Sequence, residues 1–129
     1  MKKTTKKGFT LVELVIVIAI IAILAAVLIP TFSGVVKKAN ESKALQSARN
    51  CYTELTAEYE GDLTKTTSGD AITEGTAITE TGVTSATVTH NGTTVSKIVF
   101  KVTFSANNIY TVTYTLNTNV WEVTGPAAT

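Results

Sequence analysis

Cysteine and histidine are almost missing from this 129-residue sequence, which has one of each, Cys51 and His90. A lone cysteine closes no intramolecular disulfide, so any exported head must stand without covalent staples. Cys51 falls in a helix-like pattern and is expected to be a small buried apolar residue. One histidine and one cysteine give little material for a metal site or a Cys-His nucleophile. His90 precedes Asn91-Gly92 and is expected to be an exposed turn residue. No G-x-S-x-G, phosphate loop or spaced metal cluster occurs, so no enzymatic activity and no cofactor are expected. An excess of either charge is also absent, with 11 basic against 10 acidic residues. Without the first eight residues, which hold four lysines, the balance is 7 against 10, or −3. That argues against a nucleic-acid partner, whose footprint is a basic patch.

What the sequence does have is a long apolar run. From Phe9 to Ile29 only Thr10 and Glu13 interrupt it. As a helix this segment is roughly 30 Å long, enough to cross a bilayer. Lys2, Lys3, Lys6 and Lys7 precede it and hold the N-terminus in the cytoplasm by the positive-inside rule. A cleaved secretory signal is the rival reading, with Ala25-Ala26 as small residues for its peptidase. Its apolar region is usually shorter and lacks a carboxylate. Glu13 is the anomaly, because an ionised carboxylate left unpaired in hydrocarbon is costly. It needs a partner, a shallow depth, or the favourable field of a helix N-terminus.

After Pro30 the pattern changes. Leu45, Ala48, Tyr52, Leu55 and Tyr59 recur at helical spacing among polar residues such as Lys43, Arg49, Glu54 and Glu58, which predicts an amphipathic helix over 31–60. Gly61 is its expected stop. Pro30 and Gly34 mark a helix break, read as a kink-prone point in one long helix rather than a domain boundary. Residues 61–82 read as a connecting surface loop, with one short strand near Ile72 or Ile78. Its acidic residues Asp62, Asp70, Glu74 and Glu80 lack the alternate spacing of a calcium loop and are expected to be solvated.

The last third, 83–129, alternates. Ile98, Phe100, Val102 and Phe104 share one strand face, as do Tyr110, Val112, Tyr114 and Leu116. Turn signals at Asn91-Gly92, Ala106-Asn107-Asn108 and Asn117-Thr118-Asn119 predict an antiparallel meander of about four strands, near 83–90, 94–105, 109–116 and 120–124. Its apolar face must be covered by the 31–60 helix, and Trp121 is expected to pack on the sheet or cover its edge. The expected class is therefore α+β: a long N-terminal helix, half transmembrane and half amphipathic, on a roughly four-stranded antiparallel sheet. Asn91-Gly92-Thr93 and Asn40-Glu41-Ser42 match glycosylation acceptors, a pattern frequent by chance in so Thr/Asn-rich a chain.

The segment "KKGFTLVEL", the apolar run behind it and Pro30 together closely resemble the N-terminus of type IV prepilins and pseudopilins. The match covers about the first 35 residues; beyond them the likeness is one of architecture. The resemblance implies that 1–8 is a leader peptide cut after Gly8 and that Phe9 is then N-methylated. It implies that 9–30 is the transmembrane and assembly helix, that Glu13 is the assembly glutamate, and that 31–129 is the head. It implies as partners further copies of the chain, a prepilin peptidase and methyltransferase, an assembly platform with its ATPase, and membrane lipid before assembly. The subunit would be a single-pass cytoplasmic-membrane protein that becomes part of an extracellular filament. The chain lacks the cysteine pair of many pilins from diderm bacteria, which points towards a Gram-positive source. Two other functions share some of these features. One is a pseudopilin of type II secretion or competence DNA uptake; the other is a monomeric membrane-anchored surface-binding protein, which would keep its lysine-rich leader.

Overall fold

A computed structural model describes residues 7–126. Its elements in order are α1 (Leu11–Glu58), a 3-10 turn (Leu63–Lys65), β1 (Ala71–Ile72), α2 (Thr76–Thr79), β2 (Val83–Asn91), β3 (Thr94–Ser105), β4 (Asn108–Thr115) and β5 (Val120–Thr124). The chain divides into two compact units, Met1–Lys37 and Lys38–Thr129.

In the first unit α1 carries an uninterrupted apolar surface. Every large apolar side chain from Phe9 to Val36 is exposed, from 92% at Phe9 to 41% at Val36. α1 is long and apolar enough to cross a membrane. α1 runs unbroken through Pro30 and Gly34, the single long helix expected there. Pro30 has no N–H for the carbonyl of Ala26, and its ring crowds that turn. Hydroxyls just beyond it reach back to the carbonyls that follow Ala26. Thr31 Oγ1 donates to Leu28 O at 2.9 Å and to Val27 O at 3.4 Å, and Ser33 Oγ donates to Ile29 O at 3.5 Å. Such back-bonding slightly destabilises and often bends a helix without ending it.

In the second unit α1 contributes Ala44, Ala48, Cys51 and Leu55 to the core, at the 3-4 spacing of one helix face. Leu45, Tyr52 and Tyr59 flank this stripe and are partly buried. The expected face is therefore rotated slightly towards small residues. Burial pushes the Cys51 thiol up to about 11, so it serves as an apolar filler.

The sheet has five strands in the order β1-β2-β3-β4-β5, every neighbouring pair antiparallel. The extra strand is the two-residue β1, paired through Ala71↔Thr87 and Ile72↔Ala86. Register places Phe100 opposite Ala86 on one side and Val112 on the other. All three are fully buried with Val88 and Ile98. Trp121 stacks on Tyr114 at 4.3 Å and lies 6.0 Å from Phe100, while Tyr52 of α1 meets Tyr114 edge-on at 5.1 Å. Arg49 lies over Trp121 at 5.6 Å and Lys43 over Phe104 at 5.0 Å, so two helix cations close the aromatic layer.

Three local expectations are corrected. The β2–β3 hairpin turns at Gly92-Thr93, one residue later than expected, with Asn91 paired to Thr94. Gly92 adopts φ +67, which a glycine takes without strain, and Thr94 Oγ1 donates to Asn91 O across the turn. The 61–82 segment is no bare surface loop, because Leu63, Ala77 and Ile78 join the core. The one short strand expected near Ile72 or Ile78 lies at Ile72, in β1, while Ile78 belongs to α2. The same segment also covers the outer edge of β2: Gly69 N donates to Val88 O at 2.8 Å, and His90 N donates to Ser68 Oγ at 2.9 Å. His90 is accordingly a half-buried strand residue rather than an exposed turn residue, its Nε2 lying 3.1 Å from Leu63 O and 3.2 Å from Thr66 Oγ1. Leu63 O can only accept, so Nε2 carries the proton.

Candidate processing and assembly site

The chain ahead of α1 is non-helical over residues 7–10 and exposed. Among the described residues, and its two chain neighbours apart, no atom lies within 4 Å of where a Cβ on Gly8 would stand, and Phe9 is almost fully exposed. The Gly8–Phe9 peptide bond therefore sits in open, non-helical backbone, the geometry a peptidase needs to fit a scissile bond. The helix begins just beyond it.

How α1 starts explains where Glu13 points. Leu14 N donates to Thr10 O at 3.2 Å, the first bond of the helical ladder, which makes Thr10 the N-cap. Glu13 N donates to Thr10 Oγ1 at 3.2 Å, and Thr10 N donates to Glu13 Oε2 at 2.9 Å. These reciprocal bonds are a capping box, which satisfies two of the free donors at the helix start. One carboxylate oxygen of Glu13 is thus committed to the backbone, while Oε1 has no partner among the described residues. The glutamate is thereby tied to the backbone of Thr10, the residue that follows Phe9, with one acceptor free among the described residues. Thr10 is the residue that the sequence reading passed over. Its signal was the Thr-x-x-Glu spacing directly before an apolar helix.

Thr10→Val keeps the β-branched shape and removes the hydroxyl. A lost N-cap bond frays the first turn, so amide exchange at Leu11 to Leu14 in detergent micelles should rise about fivefold. Thr10→Ser should stay close to the parent. Equal exchange in Thr10→Val and the parent would mean the capping box does not form in solution.

Pro30 and Gly34 lie about 26 Å and 32 Å along the helix axis from Glu13, at 1.5 Å per residue, and so take no part in this local geometry.

Residues 3–29 match the family described as the prokaryotic N-terminal methylation motif. The chain is 69% identical over 36 residues to the type IV wide pilus major component PilA4 of Thermus thermophilus, an alignment covering 28% of each protein. It is 50% identical over 48 residues to the fimbrial protein EcpC of Eikenella corrodens, covering 37% of this chain and 31% of that one. It is 45% identical over 56 residues to the type IV major pilin protein PilE of Neisseria gonorrhoeae, covering 43% and 34%. The matched region spans about a third of the length of these curated relatives. No solved structure matches. These relatives lend no support to a Gram-positive source.

Proposed function

We propose, from this type IV pilin N-terminus, that the chain is a structural subunit of a pilus-like filament, held in the membrane as a prepilin. It is cleaved after Gly8, N-methylated at Phe9 and polymerised through α1. The methylation motif over residues 3–29, placed directly before an exposed apolar helix, carries this reading.

Each step has a physical reason. Cleavage creates an α-amino group on Phe9, and methylation leaves its nitrogen able to carry a positive charge. When apolar helices of neighbouring copies lie side by side, Glu13 of one can accept from the Phe9 amine of the next. The two charges then satisfy each other only in the assembled register, and every mispaired register leaves them unpaired. The apolar side chains of α1 lie in lipid before assembly and against each other after it. Extraction requires work, which an ATP-driven assembly platform would supply. Pro30, Gly34 and the hydroxyl-bonded turn between them provide a place where helical bonds can be given up as subunits pack.

The matched relatives carry names of pilus and fimbrial proteins, which favours a pilus over a secretion or competence pseudopilin. The reading is tested by mass spectrometry of the subunit from a sheared surface fraction. A methylated Phe9 terminus is expected; an intact Met1 or Lys2 terminus would overturn the proposal and favour a monomeric anchored protein.

A further inference from the structure

From residue 62 onward the chain has only three lysines or arginines, Lys65, Lys97 and Lys101, against five acids, Asp62, Asp70, Glu74, Glu80 and Glu122. Lys65 is occupied by Glu60 at 2.8 Å. The other two lie four residues apart on β3, both exposed, on the sheet face opposite Ile98, Phe100 and Val102. That spacing separates them by about 13 Å. Strand register surrounds them with small hydroxyl residues: Thr89 and Thr115 beside Lys97, Ser85 and Thr111 beside Lys101. The one acid on this face, Glu122, lies in the row of Val99, two strands away on β5. Neither lysine has an ionic partner among the described residues.

The matching negative feature lies elsewhere on the head. Asp70 and Glu74 flank β1 and are exposed, four residues apart, a stretch of chain that reaches at most about 14 Å. They too lack an ionic partner among the described residues. Two unpaired cations on the sheet face and two unpaired anions beside the edge strand therefore stand at different places on the head.

The geometry points to a head-to-head contact between successive copies of this chain, in which Asp70 and Glu74 of one subunit face Lys97 and Lys101 of the next. The inference rests on the filament reading above and names the surface by which the heads, rather than the helices, recognise each other. A patch that meets a different patch on the next copy is heterologous, and contacts of that kind propagate into open helical polymers instead of closing into dimers. The small Ser and Thr side chains around the lysines leave room for an acidic segment to approach, and charge at this outer position sets register more than affinity.

The test is a charge swap in the full chain, scored as subunit recovered in sheared filaments relative to subunit in the membrane. Lys97→Glu with Lys101→Glu should lower the ratio at least about fivefold, as should Asp70→Lys with Glu74→Lys. All four substitutions together restore opposite signs and should return the ratio to within about twofold of the parent. Thermal melting of each variant in detergent checks that the head remains folded. Parental recovery of either charge-reversed pair, or no recovery in the fourfold variant, would overturn the contact. Glu13→Leu, assayed alongside, separates the two ideas. If it alone fails to assemble, the filament reading stands without the head contact; if it also assembles normally, the filament reading falls.

Discussion

Glu13→Leu is expected to remain in the membrane and to vanish from surface filaments, with at least about a hundredfold loss of incorporation. Insertion should be as good as the parent's or better, because a carboxylate next to lipid is exchanged for an apolar side chain. Assembly should fail because the methylated amine of each neighbour would then be buried with no counter-charge. The capping box complicates this substitution in a useful way: Glu13 Oε2 also holds Thr10 N, so leucine removes a helix-start bond as well as a charge. Glu13→Gln separates the two effects. Its amide oxygen can still accept from Thr10 N, yet it offers no charge to an amine. If Glu13→Gln fails as Glu13→Leu does, charge pairing is what assembly needs. If Glu13→Gln assembles normally while Glu13→Leu does not, the requirement is the helix cap. Normal incorporation of both would refute the pairing mechanism.

The strands were legible because their side chains alternate over long stretches. β3, at Thr94–Ser105, and β5, at Val120–Thr124, fall on the bounds that period-2 alternation predicts. The long helix was legible for a similar reason, since its apolar content and later amphipathic spacing both persist over many turns. What escaped were features set by a few atoms. At Pro30 a weak point in one long helix could be read, but not the hydroxyls of Thr31 and Ser33, which bond back to the carbonyls of Leu28 and Ile29, contacts no periodicity reports. The 61–82 segment has too few large apolar residues to announce a core role. Leu63, Ala77 and Ile78 are nevertheless buried, because β2 needs its outer edge covered. His90 was misplaced for the same reason: Gly92, not Asn91, opens the turn, and the histidine stays in the strand to brace the segment beside it. At the candidate site, Gly8, Phe9 and Glu13 were visible as a motif, whereas Thr10 acquires meaning only once the helix start is fixed.

Phe100→Ala is expected to cost the head about 3–5 kcal/mol, the range for truncating a fully buried aromatic in a core that relaxes only partly. Phe100 is 0% exposed, stands between Ala86 and Val112 in the sheet, and lies under Trp121. Removing its ring opens a void at the centre of the sheet and takes away the partner beneath Trp121. A small domain has roughly 5–15 kcal/mol of stability in total, and a lone buried cysteine offers no disulfide to hold the remainder together. Melting of the full chain in detergent, followed by Trp121 fluorescence, should shift down by about 15–30 °C. Thr113→Ala, on the opposite sheet face, should move the melt by no more than about 0.5 kcal/mol in equivalent stability. A Phe100→Ala melt within a few degrees of the parent would mean the sheet core is not packed as described. Phe100→Ala also isolates the head's contribution to the filament. Its N-terminal segment is untouched, so membrane insertion and the Phe9 terminus should be unchanged, while recovery in sheared filaments falls as the destabilised head unfolds outside the membrane.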